Sequence, residues 1–122
     1  MPLTLQIDAD RWRAHVRAYV AGATRIVPVT KGNGYGFGNS ALAAEASTLG
    51  VDTMAVGTYE EVAAATGPFP GDVLVLSPWR PTLDVDLVDE GRVIHTVSRL
   101  TDLRDLADPR EGDAEHVGEV LD

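Results

Sequence analysis

Cysteine is absent from this chain of 122 residues, which excludes disulfides, thiolate metal sites and a cysteine nucleophile. Positive charge is scarce: ten Lys and Arg stand against nineteen Asp and Glu, for a net charge of −9. A chain so acidic is a poor binder of nucleic acid or of an anionic membrane. No apolar run approaches the ~20 residues of a membrane span. The opening Met1-Pro-Leu-Thr-Leu-Gln lacks the basic-then-apolar order of a signal peptide. A soluble cytoplasmic protein is the expectation. The length suits one ordinary domain, but falls well short of the ~250 residues of a closed eight-fold barrel. Scarcest among the charged residues is lysine: nine of the ten basic residues are arginine, and Lys31 stands alone.

Lys31 lies in Ile26-Val-Pro-Val-Thr-Lys-Gly-Asn-Gly-Tyr-Gly-Phe-Gly38. A short β-branched run reaches the lysine, and four glycines at alternating positions follow it. Asn39-Ser40 then opens a helical pattern. An amine at a strand end, above a glycine-rich turn and a helix start, suits an anionic ligand that also carries a carbonyl. The glycines do not fall at the spacing G-x-G-x-x-G, because Phe37 and Asn39 occupy the positions the last glycine would need, and there is no G-x-x-x-x-G-K-[ST]. A nucleotide-binding loop is therefore a poor reading.

The remaining pattern alternates strands and helices. Asp8 or Asp10 can cap a first helix over residues 10–21, with Trp12, Val16 and Tyr19 on one stripe and Gly22 past its end. Strands are expected at 26–30, 53–56, 72–76 and 92–97. Helices are expected at 40–49, from Thr58 to about Gly67 with a capping box between Thr58 and Glu61, at 82–90, and from a Thr101 cap to Ala107. Four such alternations mean parallel strands joined by right-handed crossovers. Residues 108–122 hold six acidic residues, one arginine and no helical period, and read as a loose acidic tail. The domain expected is thus 1–107.

The lysine segment resembles the pyridoxal-phosphate attachment motif of the alanine racemases. Val29, Lys31, Gly32, Asn33, Gly34, Tyr35, Gly36 and Gly38 carry the match, with Gly32 and Phe37 standing where most members have Ala and His. Pro28 inside the strand is also unusual. A weaker likeness runs from about Leu3 to Leu106 and includes Ala55-Val-Gly-Thr-Tyr-Glu-Glu-Val62. The resemblance implies the first half of a (β/α)8 barrel. It also implies pyridoxal 5'-phosphate as cofactor, Lys31 as its Schiff-base partner and later as a base on one substrate face, and the Tyr35 hydroxyl beside the phosphate. Val29 and Leu76, near strand ends, would line the cofactor ring by the same likeness, although core packing explains them equally well.

The activity implied is racemisation of an amino acid, most simply alanine. Family members complete that chemistry with a second base from a C-terminal β-domain and with later barrel strands, and no counterpart of those segments is recognised here. The chain therefore reads as a truncated portion, inactive alone, whose partner is either a second copy in a homodimer or the missing C-terminal part. Three other readings stay open: a non-catalytic cofactor-binding or regulatory protein, an inactive remnant, and a decarboxylase or aldolase on the same barrel. His15, His95 and His116 show no ligand spacing. His15 reads as solvated, His95 as packed and His116 as part of the tail. The run Asp84, Asp86, Asp89 and Glu90 reads as a solvated face.

Overall fold

The computed structural model describes residues 2–87 and 89–107. The expected tail, with His116, lies outside them. Four strands form one parallel sheet in the order β1-β2-β3-β4: β1 Val29–Thr30, β2 Thr53–Val56, β3 Asp72–Pro78 and β4 Val93–Thr96. The helices are α1 Ala9–Ala21, α2 Asn39–Ser47, α3 Val62–Thr66 and α4 Leu100–Leu106. Strand order follows chain order without the reversal of a doubly wound sheet. Sequential parallel strands are the winding that builds a barrel. The fold is α/β, and the sheet corresponds to the opening staves of a (β/α)8 barrel.

The two faces of the sheet differ. Side chains alternate along a strand. Thr30, Met54, Val56, Val73, Val75, Val93 and His95 fall on one face and are all buried. They pack with Ala43 and Ala46 of α2, Val62 and Ala65 of α3, and Phe69 beyond α3. The opposite face carries Val29, Ala55, Leu74 and Ile94 in register. Val29 is 39% exposed and Leu76, two residues past Leu74, is 41% exposed. Ala55 is buried only because its short side chain sits between Val29 and Leu74. Helices thus cover one face, and the other is open.

Several expected elements are confirmed in detail. Asp8 caps α1, its Oδ1 accepting from the Arg11 amide at 3.1 Å. Gly50, just past α2, takes φ +71. Thr58 and Glu61 form the capping box, leading through a single 3-10 turn, Tyr59–Glu61, into α3.

Other expectations are corrected. The first strand shrinks from 26–30 to Val29–Thr30, because Pro28 has no N–H to give; its carbonyl still accepts from the Ala55 amide at 2.8 Å. On α1 no residue is buried: Trp12 and Val16 are half-covered, and Tyr19 is 67% exposed. Residues 82–87 are not helical. Leu83, Val85 and Leu87 recur every second residue and pack on the core cluster while Asp84 and Asp86 face solvent, so that stretch has the period of extended chain. Among the described residues nearby, the helical turn is Glu90–Arg92. Thr101 lies inside α4, whose N-cap is Arg99.

Arg92 closes the turn after α3. Its guanidinium donates to the carbonyls of Thr66 at 2.8 Å, Phe69 at 2.7 Å and Gly71 at 2.8 Å. A cation at a helix C-terminus satisfies acceptors the helix cannot. Asp102 plays the converse part at the start of α4. It is buried, and takes Arg99 Nε at 2.8 Å, Arg99 Nη2 at 3.0 Å and Arg80 Nη1 at 3.0 Å. The hydrogen bonds from Arg99, aided by the charges of Arg99 and Arg80, hold its carboxyl below the ordinary 3.8. The Glu45 carboxyl is likewise lowered, first by its hydrogen bonds with Arg13.

A lowered folded-state value means stability that is complete above the unfolded value and lost as pH falls through the folded one. The urea midpoint is therefore expected to hold steady above about pH 5 and to drop below about pH 4. Asp102→Asn should flatten that drop. An unchanged acid slope in that variant would count against the assignment.

Candidate functional site

Lys31 directly follows β1, in extended backbone with φ −156 and ψ 168. Continuing the register of Thr30 with Val56 and of Val56 with Val75 places Lys31, Gly57 and Leu76 in one row on the open face. Two observations support that row. A Cβ added to Gly57 would stand 3.0 Å from Lys31 Cβ, and the Gly57 carbonyl accepts from the Ser77 amide at 3.0 Å. The missing side chain at Gly57 is what leaves room for the lysine stem. Lys31, Val29 and Leu76 therefore share the uncovered face at or near the C-terminal ends of their strands, the end where barrel ligands bind.

The chain then winds the wrong way for L-residues. Gly32–Tyr35 is one turn of left-handed helix: φ is +55 at Gly32, +55 at Asn33, +65 at Gly34 and +56 at Tyr35, and Gly36 continues at +94. The Tyr35 amide bonds to the Lys31 carbonyl at 3.1 Å, and the Gly38 amide to Asn33 at 2.8 Å. Left-handed backbone costs a residue with a Cβ about 1–2 kcal/mol. Here Asn33 and Tyr35 bear that cost. Gly34 is the most crowded position of the turn, since a Cβ there would lie 3.0 Å from the Asn39 amide nitrogen. Strain of this kind concentrates at functional sites. The turn leaves Tyr35 60% exposed, so it does not pack against the first helix.

Sequence reasoning missed the residues beneath the turn. Thr30 Oγ1 donates to Asn39 Oδ1 at 2.9 Å, and Asn39 Nδ2 to Glu61 Oε2 at 3.0 Å. Asn39 read only as a helix opener and Glu61 only as a cap. The capping box was the visible signal, and nothing in the spacing shows that its free oxygen faces Asn39. Tyr59 is buried on the helix side, with its hydroxyl 2.7 Å from His95 Nδ1 and its phenol pushed up by burial. It stays protonated there, away from the Lys31 face, and is no second base. Arg80 turns to Asp102 and Ser98. Among the described residues no cluster of His, Asp and Glu could hold a metal, and no helix is long and apolar enough to cross a membrane.

A sequentially wound parallel sheet, with a lysine at the end of its first strand and a left-handed glycine turn above, defines a barrel-type lysine site. The chain belongs to the alanine racemase N-terminal domain family, whose model matches residues 7–118. It is 36% identical over 87 residues to the alanine racemase of Geobacillus kaustophilus, a match covering 70% of this chain and 22% of that protein. Its fold is similar to the crystal structure of alanine racemase from Oenococcus oeni, with a TM-score of 0.61 and 23% identity over 84% of this chain and 28% of that one. The chain thus spans about a quarter of the length of these relatives.

Proposed function

We propose that this chain carries the cofactor-lysine portion of a pyridoxal-phosphate-dependent amino-acid racemase, alanine being the simplest substrate. The carrying observation is Lys31 itself, the sole lysine, exposed on the open face at the end of β1 and directly before a left-handed turn. The residues present fit the cofactor: an amine for covalent attachment, a bare Gly57 beside its stem, apolar Val29 and Leu76 for a ring, and an exposed phenol at Tyr35 for a phosphate. When bound, pyridoxal phosphate supplies an electron sink for the carbanion left by loss of a Cα proton.

This chain's own contributions are simpler. Lys31 Nζ offers a nucleophile and, once free, a proton acceptor on one side of the substrate. The exposed Tyr35 hydroxyl would donate a hydrogen bond to an anionic oxygen of the cofactor. The left-handed turn sets Tyr35 four residues beyond Lys31. A second acid/base is not found among the described residues: Tyr59 is buried and Tyr19 sits on the outer helix. Racemisation is accordingly assigned to an assembly larger than this chain, either a homodimer or a unit completed by a C-terminal portion.

Reductive trapping tests the reading. The purified chain is titrated with pyridoxal phosphate, reduced with borohydride and mapped. One lysine leaves two candidate amines, Lys31 and the amino terminus. Saturable label on Lys31 is the expected result. Label confined to the amino terminus, or unsaturable labelling, would remove the proposal.

A further inference from the structure

Beside Lys31 runs a series of side-chain hydrogen bonds that cofactor binding does not itself use. Thr30 donates to Asn39, and Asn39 donates to Glu61. Glu61 Oε1 in turn accepts from the Thr58 amide at 2.9 Å and from its hydroxyl at 3.2 Å. The series joins the end of β1, the start of α2 and the turn that opens α3. Thr30 and Asn39 also bracket the left-handed turn, so their bond of 2.9 Å closes the whole segment into a loop. A left-handed turn containing Asn33 and Tyr35 does not hold itself, and persists only where its surroundings over-determine it. Glu61 reaches the Lys31 row as well: the point where a Gly57 Cβ would stand is 2.9 Å from Glu61 Oε1 and 3.0 Å from Lys31 Cβ.

We infer that Asn39 and Glu61 are positioning residues, whose hydrogen bonds hold the left-handed turn and thereby fix the Lys31 amine and the Tyr35 hydroxyl relative to one another. The inference rests on the reading of Lys31 as the attachment point. It adds that the fixing is done by a neutral amide and a carboxylate that touch neither the amine nor the phenol. Hydrogen bonding, rather than charge, is the property that matters. In Glu61→Gln the new amide keeps an acceptor for Thr58 and a donor for Asn39, whose own amide turns over to offer nitrogen to Thr30.

The test compares the wild-type chain with Asn39→Ala, Glu61→Ala and Glu61→Gln by two readouts. The first is exchange of the hydrogen-bonded amides of Tyr35, Gly36, Phe37 and Gly38 without cofactor, set against Val73 and Val75 in the core. The second is borohydride-trapped pyridoxal phosphate on Lys31. Asn39→Ala is the cleaner variant, since it leaves the Thr58–Glu61 cap in place. Both alanine variants are expected to speed exchange in the turn, with core amides unchanged, and to weaken labelling about tenfold, as loss of one hydrogen bond that leaves its partner unsatisfied would. Glu61→Gln should match wild type on both. Wild-type exchange and labelling in Asn39→Ala, or a Glu61→Gln that behaves like Glu61→Ala, would overturn the inference. If the wild-type chain takes no label while Asn39→Ala still loosens the turn, the cofactor reading fails and the hold on the turn stands.

Discussion

Gly71→Ala should remove most of the chain's stability. An added Cβ at Gly71 would fall on the Asp52 carbonyl oxygen, and would lie 2.8 Å from Phe69 Cε2 and 3.0 Å from the Asp52 carbonyl carbon. None of these can retreat. Asp52 O is held by the Asp72 amide at 3.0 Å, and Gly71 O by Arg92 at 2.8 Å. Phe69 is 1% exposed in the centre of the core. Forcing backbone apart at the N-terminal end of β3 would cost about 3 kcal/mol or more. A domain of this size has only about 5–15 kcal/mol in all, and a sheet with one open face belongs at the low end. Gly91→Ala is the control, because nothing lies within 4 Å of its Cβ position. Circular dichroism with urea unfolding would read both. A Gly71→Ala protein within about 0.5 kcal/mol of wild type, the range of a neutral surface change, would show that the crowding is relieved at no cost.

The winding of the sheet was legible from the chain because it depends on a coarse signal. Apolar runs such as Asp72-Val-Leu-Val-Leu76 alternate with capped helical stretches, and that alternation alone dictates parallel strands. Caps were equally legible: Asp8 and the Thr58–Glu61 box each act within one helical turn. The errors arose where a local pattern answered to something distant. The run Asp84, Asp86, Asp89 and Glu90 reads as a solvated helix face until Leu83, Val85 and Leu87 are seen to dock on the core with the two-residue period of extended chain. Arg99 reaches across the first turn of α4 to Asp102, so the end of that helix is set by an ion pair and not by the Thr101 hydroxyl.

The candidate residues of the site were visible in the sequence, and the handedness of the turn that follows Lys31 was not. Lys31 stands out by its rarity, and Val29 and Leu76 by their places at strand ends. Alternating glycines announce that positive φ is allowed; they do not state that Asn33 and Tyr35 will adopt it too. That outcome depends on closure through Thr30, Asn39 and Glu61, three residues 9 and 22 positions apart. Only the folded chain brings them together. Gly57 is the same kind of case, since an isolated glycine in a strand pattern gives no sign of which side chain passes over it.

Lys31→Arg is expected to abolish the saturable trapped label, leaving at most weak label on the amino terminus, while leaving the fold intact. The residue is exposed and extended, so a longer side chain meets no obstruction along the open face. Arginine preserves the positive charge next to the turn. Its guanidinium, however, stays protonated throughout the accessible pH range and does not condense with an aldehyde as an amine does. The substitution therefore separates two contributions that alanine would remove together. Attraction for the phosphate through charge and through Tyr35 would persist as weak, reversible binding. The covalent bond would be lost, with its absorbance and its borohydride-resistant mass. Fluorescence or calorimetric titration reads the first, and mass mapping the second. Label in Lys31→Arg equal to that of the wild-type chain would place attachment at the amino terminus and remove Lys31 from the chemistry. Loss of the saturable label with residual reversible binding would tie the lysine to bond formation and leave anion attraction to the charge and to Tyr35.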